Sequence, residues 1–433
     1  MDSKLRLFWA TCLAPVVMSA MGIAQAADAA LQMQPSCAST GLMESGDDVG
    51  ADMFGASVAL SGQTALVTMP GFDSAFISPP VPPPFVVGRV AVFTCEASTQ
   101  KWTRTASIQL PATEANQSIP FGASVALQGN LAAIGAESGV YLYKRQGQDW
   151  NQIAKIIPNN SREGAPVELW GSVIALNDHV LAVGVTEIIS PSSEVPRKFH
   201  VDLYQIVTFG ERGAAIRIAR LKPPAGNTGV FGASLALRGD TLVVGDPPST
   251  TAYLYKRHGV TFRLEQTLTG TEATTNSGFG SAVAISKNVI LIGAPSEDTI
   301  LDSFGVASGG SVYAFRHESG PESPWIETQR FNAMNGARHA AFGASLAVNR
   351  NGLAVIGTPS PDDFRDLDYG PTFFYTLQGG QFVVSPALSG GREPATSLGI
   401  TDEYLITGSV ANAGAGGTFS SVNILNLNEL PTN

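Results

Sequence analysis

The chain has 433 residues, a formal net charge of −10 and only 14% charged residues. That length exceeds what one ordinary core supports, and the acidic balance excludes an electrostatic fit to nucleic acid or to an anionic membrane surface. Its 46 glycines and 27 prolines suit many short strands and tight turns, and exclude a mainly helical chain.

Residues 1–26 read as a secretion signal. Lys4 and Arg6 give a basic start, residues 7–23 are apolar, and Ala24-Gln25-Ala26 is a small-x-small cleavage site. The apolar stretch is short for an anchor and contains Pro15 and Gly22, and Thr11-Cys12 lacks the context of a lipoprotein site. An exported protein is expected, secreted, periplasmic or on the cell surface, with no membrane span after signal removal. Cys37 and Cys95 then remain. In an exported chain such a pair is either a disulfide or two separate buried thiols, and the disulfide is carried forward as the expectation.

From residue 54 onward one phrase recurs. FGASVAL stands at 54–60 and again at 121–127, with WGSVIAL at 170–176, FGASLAL at 231–237, FGSAVAI at 279–285, FGASLAV at 342–348 and a worn PATSLGI at 394–400. A period of roughly 50–65 residues across the chain is an array, which fixes the fold before any single residue is weighed. Each unit divides into four strands, seen most plainly in the fourth: residues 231–237, 241–245 (TLVVG), 252–256 (AYLYK) and 262–268 (FRLEQTL). The first is small and apolar, as strands crowding an axis must be. The second is apolar on both faces, and the third and fourth alternate as outer strands should. This gradient describes a propeller blade. The seventh unit has a second strand near 404–407 and a third near 422–427, and then the chain ends. Residues 31–40 precede the first unit, so they are expected to supply its missing outer strand. The expectation is an all-β protein: residues 27–433 as one seven-bladed β-propeller of four-stranded antiparallel blades, its ring closed by the N-terminal strand.

Phe279-Gly280 followed by Gly293-Ala294-Pro295 resembles the FG-GAP repeat. That repeat builds the seven-bladed propeller at the head of integrin α chains and of many bacterial exported proteins, and the resemblance covers essentially all of residues 27–433. Other copies drift: Gly135-Ala136-Glu137, Gly245-Asp246-Pro247 and Gly357-Thr358-Pro359 stand where GAP is expected. The resemblance implies calcium loops between first and second strands. Such loops need about nine to twelve oxygen-rich residues. Here the links are tight, as at Ser61-Gly62-Gln63 and Gln128-Gly129-Asn130, so no metal and no cofactor is expected. Arg238-Gly239-Asp240 spells an integrin-recognition tripeptide, but other copies also place glycine before a polar residue there, which a tight turn requires.

No catalytic group is assigned. The five histidines each fall in a different repeat or link, none paired at metal spacing, and no nucleophile or metal motif is present. The repeats differ mainly in their links between second and third strands, long at 70–88, 185–200, 295–309 and 359–371. Antiparallel geometry puts these links on one face of the disc, and loops on a rigid frame carry recognition. The first is a proline-rich run presenting Phe72, Asp73, Phe76 and Phe85; the third carries Asp298 and Asp302; the fourth carries Asp363 and Asp366. These are the candidate ligand-binding residues. The expectation is a monomeric, non-enzymatic binding or adhesion scaffold for an extracellular protein or carbohydrate. The alternative is a hydrolase or lyase acting on an extracellular polymer.

Overall fold

Each copy of the repeat folds as an antiparallel meander whose turns are set by glycine. In blade two, strands Ser124–Gln128, Leu131–Ala136, Gly139–Gln146 and Asp149–Ile156 pair in that order. The first two are joined by a two-residue hairpin, Gln128 opposite Leu131, with Gly129 at φ 55°, the left-handed conformation such turns reserve for glycine. The computed structural model describes residues 36–40, 53–70, 88–110, 121–136, 139–157, 167–188, 197–227, 229–302, 305–320, 323–332, 341–358, 372–385, 395–412 and 418–430. Of the two units into which the chain divides, the larger is Cys37–Asn433. The expected signal lies outside the described residues.

The larger unit is a ring of seven blades. Blades one, two, four, five and six each have four strands in sequence order. Blade three adds a short strand, Val167–Leu169, against its second strand, and blade seven has three strands, Ser397–Ile400, Tyr404–Asn412 and Thr418–Asn426. The innermost strands neighbour one another around the axis, and Ser397–Ile400 of blade seven returns to Val58–Ser61 of blade one.

One apolar cluster fills each joint between blades. Phe121 packs edge-on against Tyr141 with centroids 5.5 Å apart, in the cluster joining blades one and two. The last cluster joins Phe54, Val67, Phe93 and Trp102 of blade one to Tyr404, Ile406, Val422 and Ile424 of blade seven. Burial departs from expectation in the third strands. Val140, Tyr141, Leu142 and Tyr143 are all buried instead of alternating. Neighbouring blades cover both faces of the inner three strands, and only the fourth, such as Asp149–Ile156, turns one face to water.

The blades also touch through their backbones. A Cβ built on Gly135 of blade two would lie 1.9 Å from the carbonyl oxygen of Gly171 in blade three. Ser124, paired with Gly135 in the ladder, donates its hydroxyl to that same oxygen at 2.5 Å. Ser234 donates likewise to Gly280 O at 2.8 Å, Ser345 to Ala395 O at 2.7 Å and Ser397 to Gly55 O at 2.8 Å. The last of these is the blade-seven-to-one joint. There Gly55 sits at φ 91°, and a Cβ on it would meet Val422 Cγ2 at 2.8 Å.

At the same joint, Cys37 is bonded to Cys95 with Cα atoms 5.7 Å apart. Thr40 N donates to Ile424 O at 3.0 Å, Asn426 Nδ2 to Cys37 O at 2.8 Å, and Cys37 N to the Tyr404 hydroxyl at 2.7 Å. A full strand was expected here. The described residues show one isolated bridge, Thr40 with Ile424, and residues 31–35 of the expected strand lie outside them.

Two outcomes follow from these joints. Gly135→Ala must push two backbones apart and is expected to cost about 3 kcal/mol or more, whereas Ser124→Ala only strands one buried carbonyl and is expected to cost about 1–2 kcal/mol. Urea unfolding of the two variants checks this, and equal losses would overturn the ranking. The Cys37–Cys95 bond closes a loop with a sequence separation of 58. Replacing both cysteines with serine is expected to cost about 2–4 kcal/mol. A chain beginning at Gly50 should lose at least as much, because it also lacks the hydrogen bonds to Ile424 and Asn426. If that shortened chain melts with the intact one, the N-terminal segment does not close the ring.

Candidate binding site

A meander with four strands has two unlike faces. Hairpins between first and second strands lie on one. Links between second and third strands, and the connections into each next blade, lie on the other, called here the link face. On the hairpin face the turns are minimal, with Gly62, Gly129 and Gly239 at φ of 54°, 55° and 54°. On the link face two of the expected loops prove to be strand. Blade three keeps its second and third strands, Val180–Ile188 and Arg197–Phe209, paired out to Ile188 opposite Arg197. Blade five's link is a hairpin of its own, Asp298–Asp302 against Gly305–Ser308.

The expected binding residues are only partly placed. Asp298 and Asp302 occupy opposite ends of one hairpin strand, opposite Ser308 and Gly305. Phe72, Asp73, Phe76, Phe85, Asp363 and Asp366 lie outside the described residues.

A cleft of about 590 Å³ opens at the link-face end of blade three. Its walls are the paired tips carrying Glu187 and Arg197–His200, the end of the fourth strand at Arg220, and the connection into blade four at Lys222, Asn227 and Gly229. The ladder sets its chemistry. Glu187 is opposite Lys198, and Asp202 is opposite Arg220. Asp202 is fully buried and is gripped by Arg220 through two bonds, Nε to Oδ1 at 2.7 Å and Nη2 to Oδ2 at 2.8 Å. Such a fork is the strong form of ion pair and leaves the buried charge compensated. His200 Nε2 lies 3.9 Å from Asp202 Oδ2. Sequence reasoning found no basic cluster, because Arg197-Lys198 and Arg220-Leu221-Lys222 are far apart along the chain and only strand pairing gathers them.

Two further buried carboxylates stand behind this face. Asp246, at the end of blade four's second strand, accepts from Asn227 Nδ2, a group that also lines the cleft. Burial holds the Asp246 carboxyl above its ordinary pKa, and hydrogen bonds from Asn227, Ser249 and Tyr253 partly offset this. In blade five, Tyr313 donates to Glu297 Oε1 at 2.7 Å, and Arg330 Nη2 approaches the same oxygen at 3.4 Å. The Glu297 carbonyl accepts from Gly309 and Gly310, pinning the base of the extra hairpin.

On the hairpin face a smaller cavity, about 460 Å³, sits at the axis and is lined by Arg238, Arg350 and Asp402 among others. Arg350 Nε lies 3.7 Å from Asp402 Oδ2. Burial, then the charge of Arg350, lowers the Arg238 pKa, while Asp402 opposes the shift. Arg238 ends the innermost strand and lines this axial cavity, and Gly239 and Asp240 make the hairpin turn, so the tripeptide is accounted for by the turn. Among the described residues no group of three or more His, Cys, Asp or Glu is placed to hold a metal ion, and no helix is long and apolar enough to cross a membrane.

The FG-GAP repeat family matches residues 262–315. No curated protein matches the chain in sequence. Among solved structures, the chain is similar to the Cps50 (Swd1) β-propeller domain of Myceliophteria thermophila, at 10% identity over 89% of this chain and 98% of that one, with a TM-score of 0.50. A chain of the mitotic checkpoint complex aligns at 14% identity over 86% of this chain and 89% of that one, with a TM-score of 0.49. Likeness at such identity shows the fold alone. The protein is thus a seven-bladed β-propeller that carries an FG-GAP repeat match at residues 262–315.

The raised Asp246 pKa gives a pH test. Because the folded value exceeds the unfolded one, the stability linked to this group is fully present below the unfolded pKa and is lost as pH rises through the folded one. Asp246→Asn abolishes that loss. The denaturation midpoint of the variant relative to the parent is expected to rise as the pH is raised above the ordinary carboxylate range, about pH 4. A constant difference would show that Asp246 does not titrate in this way.

Proposed function

We propose that this FG-GAP propeller is an exported, non-enzymatic binding or adhesion module that holds an extracellular protein or glycan against its link face. The observation that carries this is the asymmetry of the faces. One set of turns is cut to two or three residues, while the other is built out by the extended pair of blade three and the added hairpin of blade five. Ordering extra chain costs entropy that the ring itself does not need, so these extensions serve something other than the ring. Export is supported by the signal-like residues 1–26 and by a disulfide, which persists in oxidising compartments.

The buried carboxylates of this face favour binding over hydrolysis. Asp202 is held by Arg220, and Glu297 by Tyr313 and Arg330, so each serves the frame instead of facing a substrate. The protein is expected to act as a monomer.

The test is a glycan and protein array probed with residues 27–433, repeated after two changes. One replaces residues 72–85 with a short Gly/Ser link, and the other trims the Asp298–Ser308 hairpin in the same way. Both variants are expected to keep the cooperative melt of the parent and to lose array signal. Undiminished signal from both would move binding to the hairpin face or the rim.

A further inference from the structure

The cleft at the end of blade three is basic in a protein whose net charge is −10. Among the described residues its walls present Arg197, Lys198, Arg220 and Lys222 against one lining carboxylate, Glu187. Arg220 is committed to Asp202, so that pair is neutral as a unit. Arg197, Lys198 and Lys222 remain, all exposed at the opening. In the ladder Lys198 falls on the same face as His200 and Asp202, and Arg197 on the face of Phe199, so the charges bracket the strand tip from both sides.

We propose that this cleft binds an acidic polysaccharide, a uronic-acid polymer whose carboxylates repeat along its length. The inference rests on taking the link face as the binding face. The half-buried Arg220 fork is already filled by Asp202, so among the described residues no free fork is left deep in the cleft to clamp one carboxylate in fixed geometry. Two of the three free groups are lysines, hydrated point charges that attract without fixing orientation. Several such charges around one opening fit a ligand carrying several anions in series. The half-buried Phe199 ring and the Asn227 carboxamide line the same walls and offer an apolar flat and a polar partner of the kind a sugar ring uses. The volume is ample for a short stretch of such a chain.

The experiment titrates residues 27–433 with polygalacturonate oligomers, with fully methyl-esterified oligomers and with polyglutamate, at several salt concentrations. Binding is expected to the free-acid glycan, to weaken as salt rises, and to be lost on esterification. Lys198→Glu combined with Lys222→Glu is expected to weaken it at least about tenfold, while Lys101→Glu on blade one leaves it unchanged. Thermal melts confirm that the variants stay folded. No binding to polygalacturonate, equal binding by the double variant, or preference for polyglutamate would each overturn the proposal. If the link-face truncations silence the arrays while polygalacturonate fails to bind, this inference falls and the wider reading of the face stands.

Discussion

The ring depends on a contact between backbones with nothing between them. At Gly135 the second strand of one blade runs so close beneath the Gly171 carbonyl of the next that a single added carbon would overlap it. The serine beside that glycine turns the crowding into a hydrogen bond to the same oxygen. Innermost strands can converge around an axis only if their side chains are small, so glycine, alanine and serine in this segment are a steric demand of the geometry. The demand is met with variations. Blades three and five keep the close approach, of Gly184 to Gly232 O and of Gly293 to Gly343 O, but have Val173 and Ala282 at the serine position. Blade one has Thr68 at the glycine position, its hydroxyl accepting from Ser57 N at 3.0 Å. The ring therefore tolerates loss of the serine in two blades and of the glycine in a third, while an apolar cluster persists at the joints.

Those clusters explain what sequence alone conveyed well and what it did not. The repeated phenylalanine was legible as a marker, and Phe121, Phe231, Phe279 and Phe342 are all buried as ring-to-ring contacts. The third strand was misjudged because Ala252–Lys256-type segments alternate in polarity only if one assumes a wet face. Tyrosine supplies the apparent polarity there, and in the fold its ring is buried while its hydroxyl finds a partner, as with Tyr313 and Glu297. Blade three was misjudged for the opposite reason. Its long link contains enough charge to read as a loop, yet Glu187 opposite Lys198 is a favourable cross-strand pair that continues the ladder outward.

The basic cleft shows the limit of linear reading most directly. Net charge averages over the whole chain, and a scan for basic runs sees only neighbours in sequence. Antiparallel pairing brings residues 197–202 beside 220–222, and the compensated Asp202–Arg220 pair lets charged side chains pack at the end of a buried strand without an isolated ion. Local field is thus a property of the register, which no composition reveals.

Function and frame meet at the same layer. In blades two, four, five and six the strand-two glycines of the joints stand at the link-face end, and the links begin a residue or two beyond them: Gly245 precedes Asp246, and Gly293 precedes Ala294 and Pro295. The buried carboxylates occupy this layer too. Asp246 binds the connection into blade four through Asn227, and Glu297 pins the base of the blade-five hairpin through its backbone carbonyl. Each link is therefore rooted where two blades are locked together, so its first residues inherit the stiffness of the joint while the residues beyond are free to differ. A hairpin on the opposite face has no such rooting and no room to lengthen without opening its two-residue turn. The constraint that closes the ring is in this way also the one that leaves length variation to a single face.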